Sequence, residues 1–464
     1  MAVKVIEESR VSPPQHSTPP ETSLPLTFFD VIWVVMPPVK RLFFYEFHHS
    51  NQHFIETVLP HMKHSLSQAL QLFYPFAGHL VTPDPHDSVP EIAYSDGDSI
   101  TLTVAETDFD FQHLSAHHAR DVTDFFPLVP KLGSQLLALQ VTLFPNSGIA
   151  VGITNSHVVA DGKITTHFVK YWASLCKLLT HNPLVPPLIS ESSVFPFFDR
   201  SVVDDPKGLD KLYLKQAREF EELIKSYRVA NSLTPVAPSD KVRATFVLGS
   251  VEIEKLKQWV TSEIKSRSSS SSSSDTEFHV STFVVVCACV WVCWTKSKRD
   301  EDGERLFFGF TGDFRGRLDP PLPEFYFGNC VISCAVEANK RDIIGEDGMV
   351  VAAELIGRKI QELNKQRKME GGETYISNMC SVLRSGAKGL SVAGSPKFKV
   401  YETDFGWGRP RKVEVVSIED SGAISLSESR DDENGGVEVG LVLSKLEMDC
   451  FASQFEGTLE SVTD

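Results

Sequence analysis

Two histidines stand four residues ahead of an aspartate: His157 before Asp161, and His117 before Asp121. An imidazole has a reference pKa of about 6.5, so near neutral pH it can take a proton from a hydroxyl and pass it to a leaving group. The spacing alone says little, because a chain with 15 histidines yields about one such match by chance. Context separates the two. Residues 148–155 alternate Ile149, Val151 and Ile153 with small or polar partners, the pattern of a strand with one face buried. Gly162 follows Asp161, and Ile164, Phe168, Val169, Trp172, Leu175, Cys176 and Leu179 then recur at helical spacing. His157 therefore lies in a loop between strand and helix, where rigid elements commonly hold catalytic groups. His117 has no apolar strand before it and no glycine after it, and reads as part of a solvated helix or loop. On its residues alone, His157 is either a proton-transfer base or a satisfied structural histidine.

The chain has 464 residues, enough for two substantial domains, with 42% hydrophobic and 23% charged residues. Its formal net charge of −16 excludes nucleic-acid binding by phosphate neutralisation. The N-terminal residues have no apolar core of signal-peptide length, so the protein is expected in the cytoplasm with reduced thiols. The longest apolar run, Phe283 to Trp294, is too short to span a bilayer, and no membrane association is expected. Cys287, Cys289 and Cys293 lie in that run without a nearby His or acid. They read as buried thiols, and no metal site is expected.

Strand-like and helix-like segments alternate, which argues for an α/β fold. Leu26 to Phe47 reads as short strands, residues 54–78 as a helix ended by Pro75 and Gly78, and Lys207 to Arg228 as a helix. Residues 1–195 and 236–464 are expected as two domains joined by a crossover at 196–235, with roughly 373–403 packing back on the first. The serine run Ser268–Ser274 and the acidic, Gly-rich stretch Glu428–Gly436 read as mobile loops.

Two further segments bear on His157. Asp404-Phe405-Gly406-Trp407-Gly408 describes a tight loop anchored by aromatics, after the strand-like Phe398 to Tyr401. Tyr326-Phe327-Gly328-Asn329-Cys330 follows an arginine-containing run with Arg315 and Arg317. With His157–Gly162, and in this order, they resemble the plant BAHD acyl-CoA-dependent acyltransferases, which carry HxxxDG near mid-chain and DFGWG near the C-terminus. Tyr326 to Cys330 resembles the YFGNC segment of the subgroup acting on anthocyanin and other flavonoid glycosides.

The resemblance implies two similarly built chloramphenicol-acetyltransferase-like domains with the active site in a solvent channel at their interface. It implies His157 as catalytic base in a ternary complex, with no acyl-enzyme and no nucleophilic role for Ser156 or Cys176. Asp404 is carried over as a second catalytic residue, with bracing of its loop as the other reading. Asp161 and Gly162 are implied as loop support, Asp161 pairing with Arg315 or, second, Arg317. Trp407 is implied to shape the channel, or else to hold the developing oxyanion. Ser281 and Thr282 are implied at the CoA site, where a helix start suits a phosphate; Lys296, Lys298 and Arg299, followed by acids, read as a solvated loop.

No permanently bound cofactor is implied. The co-substrate is an acyl-CoA, malonyl-CoA first, and the acceptor the 6-hydroxyl of a flavonoid or phenolic glucoside, acted on by a monomer. Lys163 and His167 are candidates for a malonyl carboxylate. A hydroxycinnamoyl-CoA donor on anthocyanin glucosides is the alternative, since the 31 Phe could line an aromatic pocket. A carrier-protein-dependent condensation enzyme is a more distant one, because position 156 is Ser where a second histidine is usual.

Overall fold

A computed structural model describes residues 2–82, 88–181, 195–231, 240–268, 278–298, 305–366 and 369–463. The apolar segments form two large mixed sheets. The first has the order β1 (Val3–Val11), β6 (Ile100–Thr107), β8 (Leu137–Phe144), β9 (Gly148–Asn155), β3 (Val39–Glu46) and β14 (Lys412–Val415). The second runs β12 (Val331–Asn339), β11 (Arg305–Asp313), β13 (Lys388–Ala393), β15 (Ala423–Glu428), β16 (Val437–Ser444), β10 (Lys241–Leu248) and β7 (Arg120–Asp121). A small sheet joins β2 (Glu21–Pro25), β5 (Glu91–Ser95) and β4 (His79–Val81).

β9 is central in the first sheet and all eight of its residues are buried, not one face only. One face carries Phe43, Tyr45, Val151 and Ile153 against the Gly162–His181 helix; the other packs Leu42, Phe44 and Ala150 against Phe111 and Phe125. The apolar run from Phe283 forms the Thr282–Ser297 helix, buried nearly all round in the second half, as an evenly apolar helix must be. Cys287, Cys289 and Cys293 are free thiols inside it. Among the described residues no cluster of His, Cys, Asp and Glu could hold a metal, and no helix is long and apolar enough to cross a membrane.

The halves exchange edge strands. β14 pairs with β3 at the edge of the first sheet, and β7 pairs with β10 at the edge of the second. The decoy pair His117 and Asp121 thus lies on this seam, not on a solvated loop: Asp121 pairs with Val242, and the His117 carbonyl accepts the Thr245 amide. The seam also buries charge. Arg120 Nη2 donates to Glu414 Oε1 at 2.8 Å, and Arg243 Nη1 stands 3.6 Å from Glu414 Oε2. Burial works to raise the Glu414 pKa, but Arg120, Arg243 and Lys412 hold it at about 2.

A depressed carboxylate contributes stability that is present above its unfolded pKa and lost as pH falls through the folded one. For Glu414 that window runs from about 4.5 down to about 2, and is worth on the order of 3 kcal/mol. Thermal melts should show Glu414→Gln starting less stable at pH 7 and losing less than the wild type between pH 5 and pH 3. Parallel losses in both proteins would remove Glu414 as a source of acid sensitivity.

Several local expectations change for identifiable reasons. Leu26 to Phe47 does contain β3, but a short helix, Phe28–Val31, and a 3-10 turn, Ile32–Val35, come first. They are started by the capping box between Thr27 and Asp30. Phe398 to Tyr401 is not a strand: Pro396 opens one 3-10 turn, and Lys399, at φ +50°, passes the chain into a second. In the stretch 373–403, β13 belongs to the second sheet and the Tyr375–Arg384 helix packs on the Leu209–Asn231 helix, while the last residues of the stretch meet the first half: Phe398 lies against Gly162, Glu402 accepts Lys170 Nζ and the Thr403 carbonyl accepts the Tyr45 hydroxyl. The strand that crosses to the first sheet is the later β14. Glu428–Gly436 closes the β15–β16 hairpin, with the Ser429 amide on the Gly436 carbonyl and Asp432 accepting the Ser250 amide at 2.6 Å. The serine run lies outside the described residues apart from Ser268.

Candidate active site

β9 ends at Asn155 and the Gly162–His181 helix begins seven residues later, so Ser156 to Asp161 form the short loop that presents His157. Asp161 caps that helix: its Oδ1 accepts the Ile164 amide at 3.2 Å and its carbonyl accepts the Thr165 amide at 2.9 Å. Its Oδ2 turns the other way, accepting Arg315 Nη1 at 2.7 Å and the Cys330 amide at 3.2 Å. Both residues are 2% exposed. Arg315 also donates to the carbonyls of Tyr326 and Gly328, so one guanidinium ties the His157 loop to the Tyr326–Cys330 loop. Arg317 goes elsewhere, to Asn364. A Cβ on Gly162 would stand 2.8 Å from the Phe398 ring, so the helix start requires glycine for close approach.

His157 is held on two sides. Its ring stacks on Trp33, with centroids 3.7 Å apart and planes within 11°. Its carbonyl accepts Asn329 Nδ2 at 2.9 Å. Asn329 is fixed in turn by Asp30, whose Oδ1 accepts both its amide at 2.9 Å and its Nδ2 at 3.0 Å. His157 Nδ1 and Asn329 Oδ1 are each buried without a hydrogen-bond partner, while part of the histidine stays accessible. Burial lowers the His157 pKa below its usual value; Asp161, the Asn329 side chain and Asp30 act the other way without reversing it. The ring is therefore neutral at pH 7, the form a general base needs.

The structure does not bring the Asp404–Gly408 loop to His157. Asp404 accepts Lys177 Nζ at 2.7 Å and the amides of Gly406 and Gly408 at 2.8 and 2.9 Å. Lys177 lies about 22 Å along its helix from Gly162, at 1.5 Å per residue. Trp407 packs edge-on to Tyr45, and Tyr45 pairs with Ile149, about 20 Å along β9 from Asn155. Helix and strand agree: the loop sits at the far end of the layer that presents His157. This geometry separates Asp404 from His157, against the expectation of a second catalytic residue and in line with the loop-bracing reading, and puts the Trp407 indole among Tyr45, Phe47, Phe54 and Phe405, away from any oxyanion at His157. Gly406 and Gly408, at φ +103° and +88°, make the turn possible.

Asp404→Asn should therefore lower the melting temperature and leave the pH profile of catalysis unmoved. Burial raises the Asp404 pKa, but Lys177 and the two amides outweigh it and keep the carboxylate charged. A variant with unchanged melting temperature and a kcat more than about a hundredfold lower would return Asp404 to the catalytic group.

Ser281 and Thr282 open a helix of the second half. Ser281 caps the Thr282–Ser297 helix, its Oγ accepting the Val284 amide at 3.4 Å, and both residues are half-buried. Of the basic run beyond that helix, Lys298 pairs with Glu447, and Arg299 lies outside the described residues. Near the site, Lys163 Nζ is 3.3 Å from Glu324 and above the Phe325 ring, on which His167 stacks. Trp33, Asp30 and Asn329 were not singled out by sequence. Only the Thr27–Asp30 capping box and the glycine-containing turn around Asn329 offered a signal.

A neutral histidine on a braced loop between two mixed α/β halves, with no hydroxyl or thiol hydrogen-bonded to its ring among the described residues, can serve acid–base chemistry. A profile of the transferase family matches residues 1–458. Malonyl-coenzyme A:anthocyanin 3-O-glucoside-6''-O-malonyltransferase of Dahlia pinnata is 40% identical over 98% of this chain and 97% of its own. Coumaroyl-CoA:anthocyanidin 3-O-glucoside-6''-O-coumaroyltransferase 1 of Arabidopsis thaliana is 36% identical over 97% and 96%. Among solved structures, vinorine synthase superposes with a TM-score of 0.65 at 18% identity, over 97% of this chain and 96% of that one. The chain belongs to the transferase family of BAHD acyltransferases.

Proposed function

We propose that this acyltransferase moves a malonyl group from malonyl-CoA to the 6-hydroxyl of a flavonoid or phenolic glucoside. The observation that carries the chemistry is the neutral, stacked His157 with Nδ1 buried and part of the residue accessible. Asn329 commits its nitrogen to Asp30 and to the His157 carbonyl, which leaves its oxygen as the acceptor proposed for an Nδ1–H hydrogen bond, one that neither buried atom makes in this structure. That tautomer leaves the Nε2 lone pair for the sugar hydroxyl. As the hydroxyl oxygen attacks the thioester carbonyl, the new C–O bond forms and Nε2 takes the proton. The C–S bond then breaks, and the imidazolium protonates the leaving thiolate. Asp161 takes no part in this transfer, since Arg315, Cys330 and its own helix occupy its oxygens. Cys176 is buried and protonated, its pKa pushed to about 12 by burial, and is no nucleophile.

Malonyl leads as donor because the Dahlia relative, named a malonyltransferase, is similar over nearly the whole chain. Lys163, one residue past the helix start and half-exposed, is the cation proposed for the second carboxylate. The coumaroyltransferase relative keeps a hydroxycinnamoyl donor as the alternative. Ser281 and Thr282 are retained for CoA, at the N-terminus of a 16-residue helix. Purified protein given malonyl-CoA or coumaroyl-CoA with a panel of glucosides, read by product mass, decides between them. Malonylated glucoside is expected; coumaroylated product alone would replace the donor, and no acylated glucoside with either would refute the assignment.

A further inference from the structure

The segment that crosses between the halves is stitched to the loop carrying Asn329. Phe197 and Tyr326 form a β-bridge, the Phe197 amide donates to the Phe325 carbonyl, and the Phe327 amide donates to the Phe197 carbonyl. This brings Arg200 under the loop. Its Nη1 donates to the Tyr326 hydroxyl at 2.7 Å and stands 3.5 Å from Asp30 Oδ2; its side chain is 7% exposed. Gly328, at φ +132°, lies against the guanidinium so closely that a Cβ there would sit 2.2 Å from Nη1. Asp30, fully buried, accepts Thr27 through the same Oδ2 and holds Asn329 through Oδ1.

We propose that Arg200 and Asp30 form a buried charge pair that positions His157 through Asn329, making the crossover segment part of the catalytic apparatus. Neither residue touches the reacting atoms; both are positioning residues. The chain of contacts is unbroken: Arg200 to Asp30 at 3.5 Å, Asp30 to Asn329 at 3.0 Å, and Asn329 to the His157 carbonyl at 2.9 Å. The proposal rests on the reading of His157 as general base.

Charge gives the pair a second effect on the same ring. The ionisable groups around His157 are Asp161, with Arg315 and Asp313 behind it; Asp30, with Arg200 and Tyr326 behind it; and the Cys330 thiol. Burial raises the Tyr326 pKa to about 12 and keeps Cys330 protonated, so neither changes charge near neutral pH. Asp161, the larger influence on the ring, is held by Arg315 and is untouched by a change at Arg200. That leaves Asp30 as the negative charge whose influence on His157 depends on Arg200. Removing the arginine exposes the imidazole to an uncompensated carboxylate, which favours its protonated form; removing the carboxylate does the opposite.

The test is the pH dependence of kcat/KM in Asp30→Asn, Arg200→Gln and Arg200→Lys, with circular dichroism and melting temperature on each. Asp30→Asn keeps size and shape and is expected to move the acid limb to lower pH. Arg200→Gln is expected to move it to higher pH. Each should lower kcat on the order of tenfold by loosening the ring, with KM for acyl-CoA little changed. Arg200→Lys keeps the charge and should leave the limb at its wild-type position. A purely structural role lowers the melting temperature without opposite movements of the limb. Unmoved limbs, or movement in one common direction, would overturn the proposal; should Arg200→Gln not fold, Asp30→Asn alone decides, by moving the limb down or leaving it in place. His157→Ala run alongside separates the two layers. If it retains transfer, the general-base reading fails with the proposal; if it is inactive while the limbs stay put, the proposal fails alone.

Discussion

His157→Ala is expected to lower kcat by about 10²–10⁴-fold, the usual contribution of a positioned general base. The fold should survive the change, because the loop is held by groups other than the imidazole. The Asp161 cap, the Arg315 bridge and the Asn329 bond to the residue 157 carbonyl all remain. What is lost is the ring that stacks on Trp33 and the nitrogen that takes the proton. Because the ring acts on the chemical step, KM for acyl-CoA should change little while kcat and kcat/KM fall together. Near-normal turnover in the variant is the contradicting result. It would mean the hydroxyl is activated elsewhere.

The largest stability effect is expected at Asp161, not at His157. Asp161→Ala leaves the Arg315 guanidinium buried beside only Asp313, 3.3 Å away and half-exposed, and strips the cap from the following helix. Breaking a buried pair from one side costs about 3–5 kcal/mol, and a lost N-cap about 1 kcal/mol more. Burial by itself would lower the Arg315 pKa, and Asp161 and Asp313 reverse that, so the arginine stays charged and the cost is real. Removing both partners, as in Asp161→Ala with Arg315→Met, should be less damaging than the sum of the single changes. Denaturant unfolding of the four proteins measures this coupling. Additive losses would show that the pair does not act as a unit. Asp161→Asn, which keeps the cap oxygen but not the charge, should fall between wild type and Asp161→Ala.

Much of the site's frame is local in sequence. β9, the loop and the Gly162–His181 helix could be read from period-two and helical spacing, because consecutive residues form them. The Arg315 partner came from the family pattern. The rest depends on contacts far apart along the chain. Asp30 reaches Asn329 across 299 positions, which no window of hydrophobicity can register. The seam strands β7 and β14 have two and four residues, too short to show a period, and their pairing is decided by tertiary docking. The Asp404 loop was legible as a tight turn, from its two glycines and its aromatic residues. Its place was not, since turn chemistry does not say which end of a helix the turn packs on. Phe398–Tyr401 reads as strand-like in sequence. Pro396 and the left-handed Lys399 gave the backbone 3-10 turns instead.

The most direct test is a rapid-quench single turnover, with both substrates saturating, on the wild type and His157→Ala side by side. Product and intact-protein mass are followed in the same samples. The wild type should form acylated glucoside with no acylated protein at any time. The variant should hold acyl-CoA and form product at least about a hundredfold more slowly. Transfer by the variant at near the wild-type rate, or acylated protein accumulating ahead of product, would contradict direct attack assisted by His157.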